Sequence, residues 1–211
     1  MYTPPAFRID DRQRLVATIR EAGLATLVTA TAEGLMATPL PLLLDETEGP
    51  HGTLYGHLAR ANPQGRLPAI GGEALAMFTG PDAYVTPAFY ATKQETGRVV
   101  PTWNYVAVHA YGPLEVFDDP GRLLEVVRRL TERHEAGREV PWSVADAPED
   151  FIRAQLRGIV GLRLQISRIE GKCKASQNRP AADRDGVAAG LAASDRPADR
   201  EMAALVAAGR S

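Results

Sequence analysis

Residues 101–117 read Pro-Thr-Trp-Asn-Tyr-Val-Ala-Val-His-Ala-Tyr-Gly-Pro-Leu-Glu-Val-Phe, and this stretch decides the fold. A strand sends successive side chains to opposite faces. On that period Val106, Val108, Ala110, Leu114 and Val116 share one face, which predicts a barrel interior. Trp103, Tyr105, His109 and Tyr111 share the other. That face is too aromatic for plain solvent and predicts cover by a partner subunit, a helix or a flat ligand. Thr53–Leu58 divides in the same way, with Leu54, Gly56 and Leu58 on one side and Tyr55 and His57 on the other. Tyr84, Phe89, Tyr90, Trp103, Tyr105 and Tyr111 account for six of the 13 aromatic residues. Any one ring reads as packing, because aromatics dominate cores and interfaces; their concentration points to a cofactor.

Working outward, Asp10-Asp11 followed by Leu15, Val16, Ile19 and Ala22, then Gly23, predicts a capped amphipathic helix. Leu24–Ala30 and Leu35–Leu44 read as strands around the turn Thr31-Ala32-Glu33-Gly34. Further strands are expected at Thr53–Leu58, Ala74–Phe78, Val106–Phe117 and Ile159–Ile169, and helices at Pro120–Gly137, Pro148–Leu156 and Pro197–Ala208. Strands joined by short turns, with helices at the ends, predict an α+β, mainly β chain: an antiparallel barrel with peripheral helices. Pro39 and Pro41 lack backbone donors, so their strand is an edge, a bulge or a ligand-facing margin. From Arg179 onward Ala, Arg, Asp and Gly dominate, and Met202, Leu205 and Val206 form the only apolar cluster.

Composition narrows the function. The 211 residues carry 24 Lys+Arg against 26 Asp+Glu, a net charge of −2, which opposes holding a nucleic-acid backbone as a main task. A single Cys excludes a disulfide framework and any multi-Cys zinc site. The opening residues lack the basic-then-apolar order of a signal peptide, and no apolar run spans a bilayer. A cytoplasmic location without membrane attachment is expected.

Two polar clusters suit an anion. His57-Leu58-Ala59-Arg60-Ala61-Asn62-Pro63-Gln64 reads as a strand end leading into a helix, with backbone N–H groups and Arg60 available to a phosphate. In Lys172–Arg179 and the residues just before it, Arg168, Lys172, Lys174 and Arg179 stand against Glu170. That run is a solvated loop or a site, and the amides and hydroxyl between its cations favour the site. Cys173, flanked by lysines, is a candidate for a depressed thiol pKa. His51, His57, His109 and His134 lack metal-ligand spacing, and no metal is expected. Glycine-rich phosphate turns, a Gly-x-Ser-x-Gly elbow and a helix-turn-helix signature are missing.

The opening Met-Tyr-Thr-Pro-Pro-Ala-Phe, the segment 57–64, Gly80-Pro81-Asp82-Ala83-Tyr84-Val85-Thr86-Pro87, Val100-Pro101-Thr102-Trp103-Asn104-Tyr105 with His109, and the segment 174–179 together resemble the PaiB family. Its members are described as FMN-binding negative transcriptional regulators. The resemblance covers about residues 1–190, with Phe89 where a Trp is common and Ala175 where Leu is usual. It implies an FMN-binding split barrel over 1–190; the helical tail expected at 191–211 rests on the residues alone and finds no support in the resemblance. It also implies a homodimer with FMN at each interface. The cofactor residues so implied are His57, Leu58 and Arg60 at the phosphate, Tyr84, Val85, Thr86, Trp103, Asn104 and Tyr105 along the ring, and Lys174, Ser176 and Gln177 in the C-terminal segment. Asn104, Thr86 and Gln177 are the polar candidates for the ring edge. Direct DNA binding is not expected. The alternatives are a flavin-dependent oxidoreductase of the same fold, and a haem-binding relative with His57 or His109 as ligand; fold alone does not separate them.

Overall fold

Alternating apolar side chains and short turns build nine strands, and the helices sit between and after them. The computed structural model describes residues 1–209. In chain order they form β1 (Arg8–Ile9), α1 (Arg12–Glu21), β2 (Ala25–Thr31), β3 (Gly34–Leu40), β4 (Leu43–Asp45), β5 (Thr53–Ala59), β6 (Glu73–Val85), α2 (Ala91–Thr96), β7 (Thr102–Phe117), α3 (Pro120–Glu135), α4 (Glu149–Leu156), β8 (Ile159–Gln165), β9 (Arg168–Lys174), α5 (Ala181–Ala192) and α6 (Pro197–Ala208). Two compact units interleave along the chain. The first takes Met1–Glu21, Thr79–Val108 and the residues from Glu170 on; the second takes Ala22–Phe78 and His109–Ile169.

The strand order is β3-β2-β6-β7-β8-β5-β4; β6 and β7 have residues in both units, and the other five strands belong to the second. Leu27 pairs with Thr38 of β3 and Ala76 of β6, and Leu54 pairs with Leu164 of β8, in antiparallel register. Leu27, Leu54, Leu58, Ala76, Phe78, Leu162 and Leu164 are buried there. β3 lies at an edge of the order, which suits the donor-less nitrogen of Pro39. The outward side of β5 is covered by a helix: Tyr55 packs on a cluster of Phe117, Leu123, Val126, Leu130 and Leu156 contributed by β7, α3 and α4. The Asp119 side chain caps α3 by accepting from Arg122 N at 2.8 Å, with Pro120 in the first turn. Arg129 pairs with Asp45 at 3.0 Å, and Arg133 donates to the Leu42 carbonyl.

In the first unit β1 pairs with β9, Ile9 opposite Gly171, and β9 also pairs with β7. Helix α1 buries Leu15, Val16 and Ile19. At Gly171 a Cβ would lie 2.2 Å from Leu15 Cδ2 and 2.9 Å from Ile9 Cβ, so a larger residue there would require these side chains to shift. Helix α6 buries Met202, Ala203 and Val206 and α5 buries Val187 and Leu191. The Asp183 carboxylate of α5 accepts from both the backbone N and the Oγ1 of Thr92 in α2.

Three expectations are corrected. The stretch 159–169 is two strands, because Ile166 N and Ser167 N turn away to the carbonyls of Gly52 and Tyr111. Alternation along β7 holds for Val106, Val108 and Ala110 but reverses at its end. There Phe117 is buried under α3, Leu114 is only half-buried, and Val116 is 39% exposed. No α-helix follows the strand end at His57–Arg60; a single 3-10 turn spans Pro63–Gly65. The Gln64 amide is drawn inward instead, donating to the Leu27 and Met36 carbonyls and Thr29 Oγ1. Helix α5 forms where the sequence suggests no element. Of the expected tail, α6 matches Pro197–Ala208, and Arg210 and Ser211 lie outside the described residues.

Candidate functional site

The first unit gathers most of the residues singled out from the sequence. Strand β6 ends in Tyr84 and Val85, and β7 opens with Thr102, Trp103, Asn104 and Tyr105. Tyr84 and Trp103 meet edge to face, with ring centroids 5.7 Å apart; they are 48% and 53% exposed. An exposed aromatic pair on rigid strands is a ready wall for a flat ligand. Val85, the next residue of β6, is fully buried. Thr86 caps the turn Pro87–Phe89 with its hydroxyl, which accepts from Ala88 N.

Asn104 is fully buried. Its Nδ2 donates to Ser176 Oγ at 2.9 Å, while its Oδ1 has no donor among the described residues. A buried amide oxygen without a donor costs about 1–3 kcal/mol, so this atom is poised for a ligand N–H. Ser176 holds a left-handed backbone, φ +61°, uncommon for a residue with a Cβ. The bond from Asn104 is made at that strained residue. Gln177 closes the same turn: its Oε1 accepts from Ala175 N at 2.7 Å and its Nε2 donates to the Cys173 carbonyl at 2.6 Å. Both ends of that amide are committed, as is the Thr86 hydroxyl.

Strand alternation puts Lys172 and Lys174 on one face of β9 and turns Cys173 to the other. Lys172 is only 7% exposed. Its Nζ donates to the Tyr2 carbonyl at 3.2 Å and sits 5.0 Å from the centroid of Tyr105. Lys174 donates to Thr102 Oγ1. Neither ammonium has a carboxylate partner among the described residues, and Arg179 stacks on Tyr90 at 4.6 Å. Burial holds the Lys174 pKa below the ordinary lysine value; Tyr105 opposes this, while Lys172 and Arg179 add to it. Cys173 behaves opposite to expectation. Burial pushes its thiol pKa up, against a smaller lowering by Arg14.

His57, Leu58 and Arg60 lie in the second unit. Leu58 is core. His57 is half-buried, its Nδ1 has no partner among the described residues, and burial lowers its pKa. Arg60 Nε donates to the Arg157 carbonyl at 2.9 Å, and its guanidinium stands 3.5 Å from Asp118. Sequence reasoning put Lys172 in the basic run but not in the site. The usable signal was its spacing two residues from Lys174. No group of His, Cys, Asp and Glu among the described residues is placed to hold a metal ion.

A family model described as "Putative FMN-binding domain" matches residues 1–168. The chain is 31% identical over 206 residues to protease synthase and sporulation protein PAI 2 of Bacillus subtilis, covering 98% of this chain and 96% of that one. The chain belongs to the PaiB family. An uncharacterized protein of Aspergillus fumigatus is 36% identical over 218 residues, covering 82% of this chain and 84% of its own. Among solved structures, the FAD and heme binding protein of Mycobacterium smegmatis matches with a TM-score of 0.58 at 18% identity, over 79% of this chain and 73% of that chain. That likeness concerns the fold alone. The fold is mainly antiparallel sheet with several helices, and FMN is the cofactor the PaiB family's domain assigns. The donor-less Asn104 Oδ1, the paired ammonium groups and the open aromatic pair fit a flat, phosphate-bearing heterocycle. No helix of the described residues is long and apolar enough to cross a membrane.

Proposed function

We propose that the chain is a cytoplasmic FMN-binding homodimer of the PaiB type that serves as a negative transcriptional regulator without reading a duplex itself. One observation carries the cofactor reading: a buried amide oxygen lacking a donor shares a unit with two ammonium groups lacking a carboxylate. A ring with an N–H edge and a phosphate answers both needs. Tyr84 and Trp103 supply the aromatic wall. Asn104, held by Ser176, accepts from the ring edge, and Lys172 and Lys174 neutralise the phosphate. Bound FMN supplies one- and two-electron redox chemistry. This reading gives the phosphate to the lysines rather than to Arg60, which is already engaged by Arg157 and Asp118.

The exposed Val100, Tyr84 and Trp103 support a second copy as cover. The arginines of α3 support the exclusion of DNA. Arg122 pairs with Glu115, Arg128 with Glu125 and Glu132, and Arg129 with Asp45, so this arginine-rich helix presents little free charge.

The test compares FMN with riboflavin. Lys174→Gln should weaken FMN by about 1.5–3 kcal/mol, the scale of a charge-assisted hydrogen bond, and leave riboflavin nearly unchanged. Equal losses for the two ligands would show that Lys174 supports the fold instead.

A further inference from the structure

The second unit carries an open hollow of about 570 Å³ that the flavin reading does not use; Arg60, Arg66 and Asp118 line it together with Val116, Phe117 and Val160. Its two guanidinium groups are oriented before any ligand arrives. Arg60 Nε donates to the Arg157 carbonyl and Arg66 Nε to the Arg60 carbonyl, each at 2.9 Å. A bond at Nε fixes the plane of the fork and leaves the terminal nitrogens outward. Those of Arg66 have no acceptor among the described residues. Those of Arg60 meet only Asp118, at 3.5 Å, whose side chain is 73% exposed, a pair that water screens heavily. Two cations against one carboxylate leave one positive charge. The remaining wall is apolar, and Val116 turns toward solvent there because Phe117 takes the buried side.

We propose that this hollow binds a small organic carboxylate with an apolar or aromatic body. A planar carboxylate matches the guanidinium fork. A single negative charge matches the single excess cation, whereas a phosphate dianion would meet more repulsion from Asp118. An inorganic anion gains nothing from Val116, Phe117 and Val160, so the body of the ligand supplies the rest.

Benzoate is the probe, titrated into the FMN-loaded 211-residue chain and followed by saturation-transfer NMR. Saturable binding in roughly the millimolar range is expected for so small a ligand. Arg66→Gln should weaken it about tenfold or more. Val116→Glu, which places a carboxylate in the hollow, should abolish it, and FMN content should stay unchanged in both variants. Three results would overturn the proposal: no saturable binding, benzoate binding undisturbed in both variants, or inorganic phosphate competing as well as benzoate. A loss of FMN affinity in Arg66→Gln with riboflavin affinity retained would also overturn it, since the hollow would then belong to the cofactor phosphate.

Discussion

Burial sets the charge of His57. Its pKa lies below the ordinary histidine value because the half-buried ring loses hydration on charging. As pH falls below about 6.5, the unfolded chain takes up this proton before the folded one does. Bound protons then favour the unfolded state, so stability falls with acidification until the folded pKa is also passed. The contribution to the slope is at most about 1.4 kcal/mol per pH unit for one group. Urea denaturation at pH 7.5 and pH 5.5 should show the loss, and His57→Gln should flatten it. An unchanged slope in that variant would assign the pH dependence to other groups. Lys174 has the opposite pH window. With its pKa below the usual lysine value, it loses its charge early on the alkaline side. FMN affinity should therefore fall as pH rises through that pKa, more than riboflavin affinity does.

At the scale of elements, α5 shows where sequence reading stops. Asp183, Gly186 and Gly190 weaken helix propensity, so the stretch offers no clear period. Yet Gly186 is where α5 meets the chain at Phe89: a Cβ there would lie 2.0 Å from the Phe89 carbonyl oxygen, and one at Gly190 2.3 Å from its ring. Gly186→Ala sets about 1 kcal/mol of gained helix propensity against a backbone collision costing about 1–3 kcal/mol or more. The collision wins, and the denaturation midpoint should drop. Gly121→Ala in α3 should do the reverse, gaining up to about 1 kcal/mol, because its Cβ would meet only Asp119 Oδ1 at 3.4 Å. A midpoint raised in both variants would show that α5 yields at Phe89. Helix α3, by contrast, was legible, because Asp119 and Pro120 mark its start and Leu123, Val126 and Leu130 recur on one face. The end of β7 was not: Gly112 approaches the Gln165 carbonyl so closely that a Cβ would lie 1.9 Å from its oxygen, and α3 then claims Phe117. Both are tertiary effects that period-two alternation does not contain.

For the whole molecule, the aromatic side of β7 was legible because alternation needs only local geometry. The role proposed for Lys172 was not, since a lysine 7% exposed becomes informative only when its lack of a carboxylate partner among the described residues is seen in space. Trp103 now separates the ways in which the molecule uses its aromatic wall. Half its surface is exposed and among the described residues its ring partner is Tyr84, so Trp103→Ala empties no core. Its cost to the stability of the fold should stay well under the roughly 3–5 kcal/mol of an emptied aromatic core position. If the wall holds the flavin, FMN should quench the parent's tryptophan emission. Trp103→Ala, which leaves Trp142 as the remaining tryptophan, should bind FMN more weakly and lose most of that quench. If the wall serves only the contact between two copies, the variant should bind FMN normally and dissociate on dilution, with a melting temperature that rises with protein concentration. Light scattering at micromolar concentration, FMN titration and urea denaturation on this one variant distinguish these outcomes. The expected result is weakened FMN binding with the folded midpoint retained, in a parent that is dimeric at those concentrations. A variant that matches the parent in FMN affinity would remove Trp103 from the flavin wall, and a parent that is monomeric with FMN bound would remove the second copy from the site.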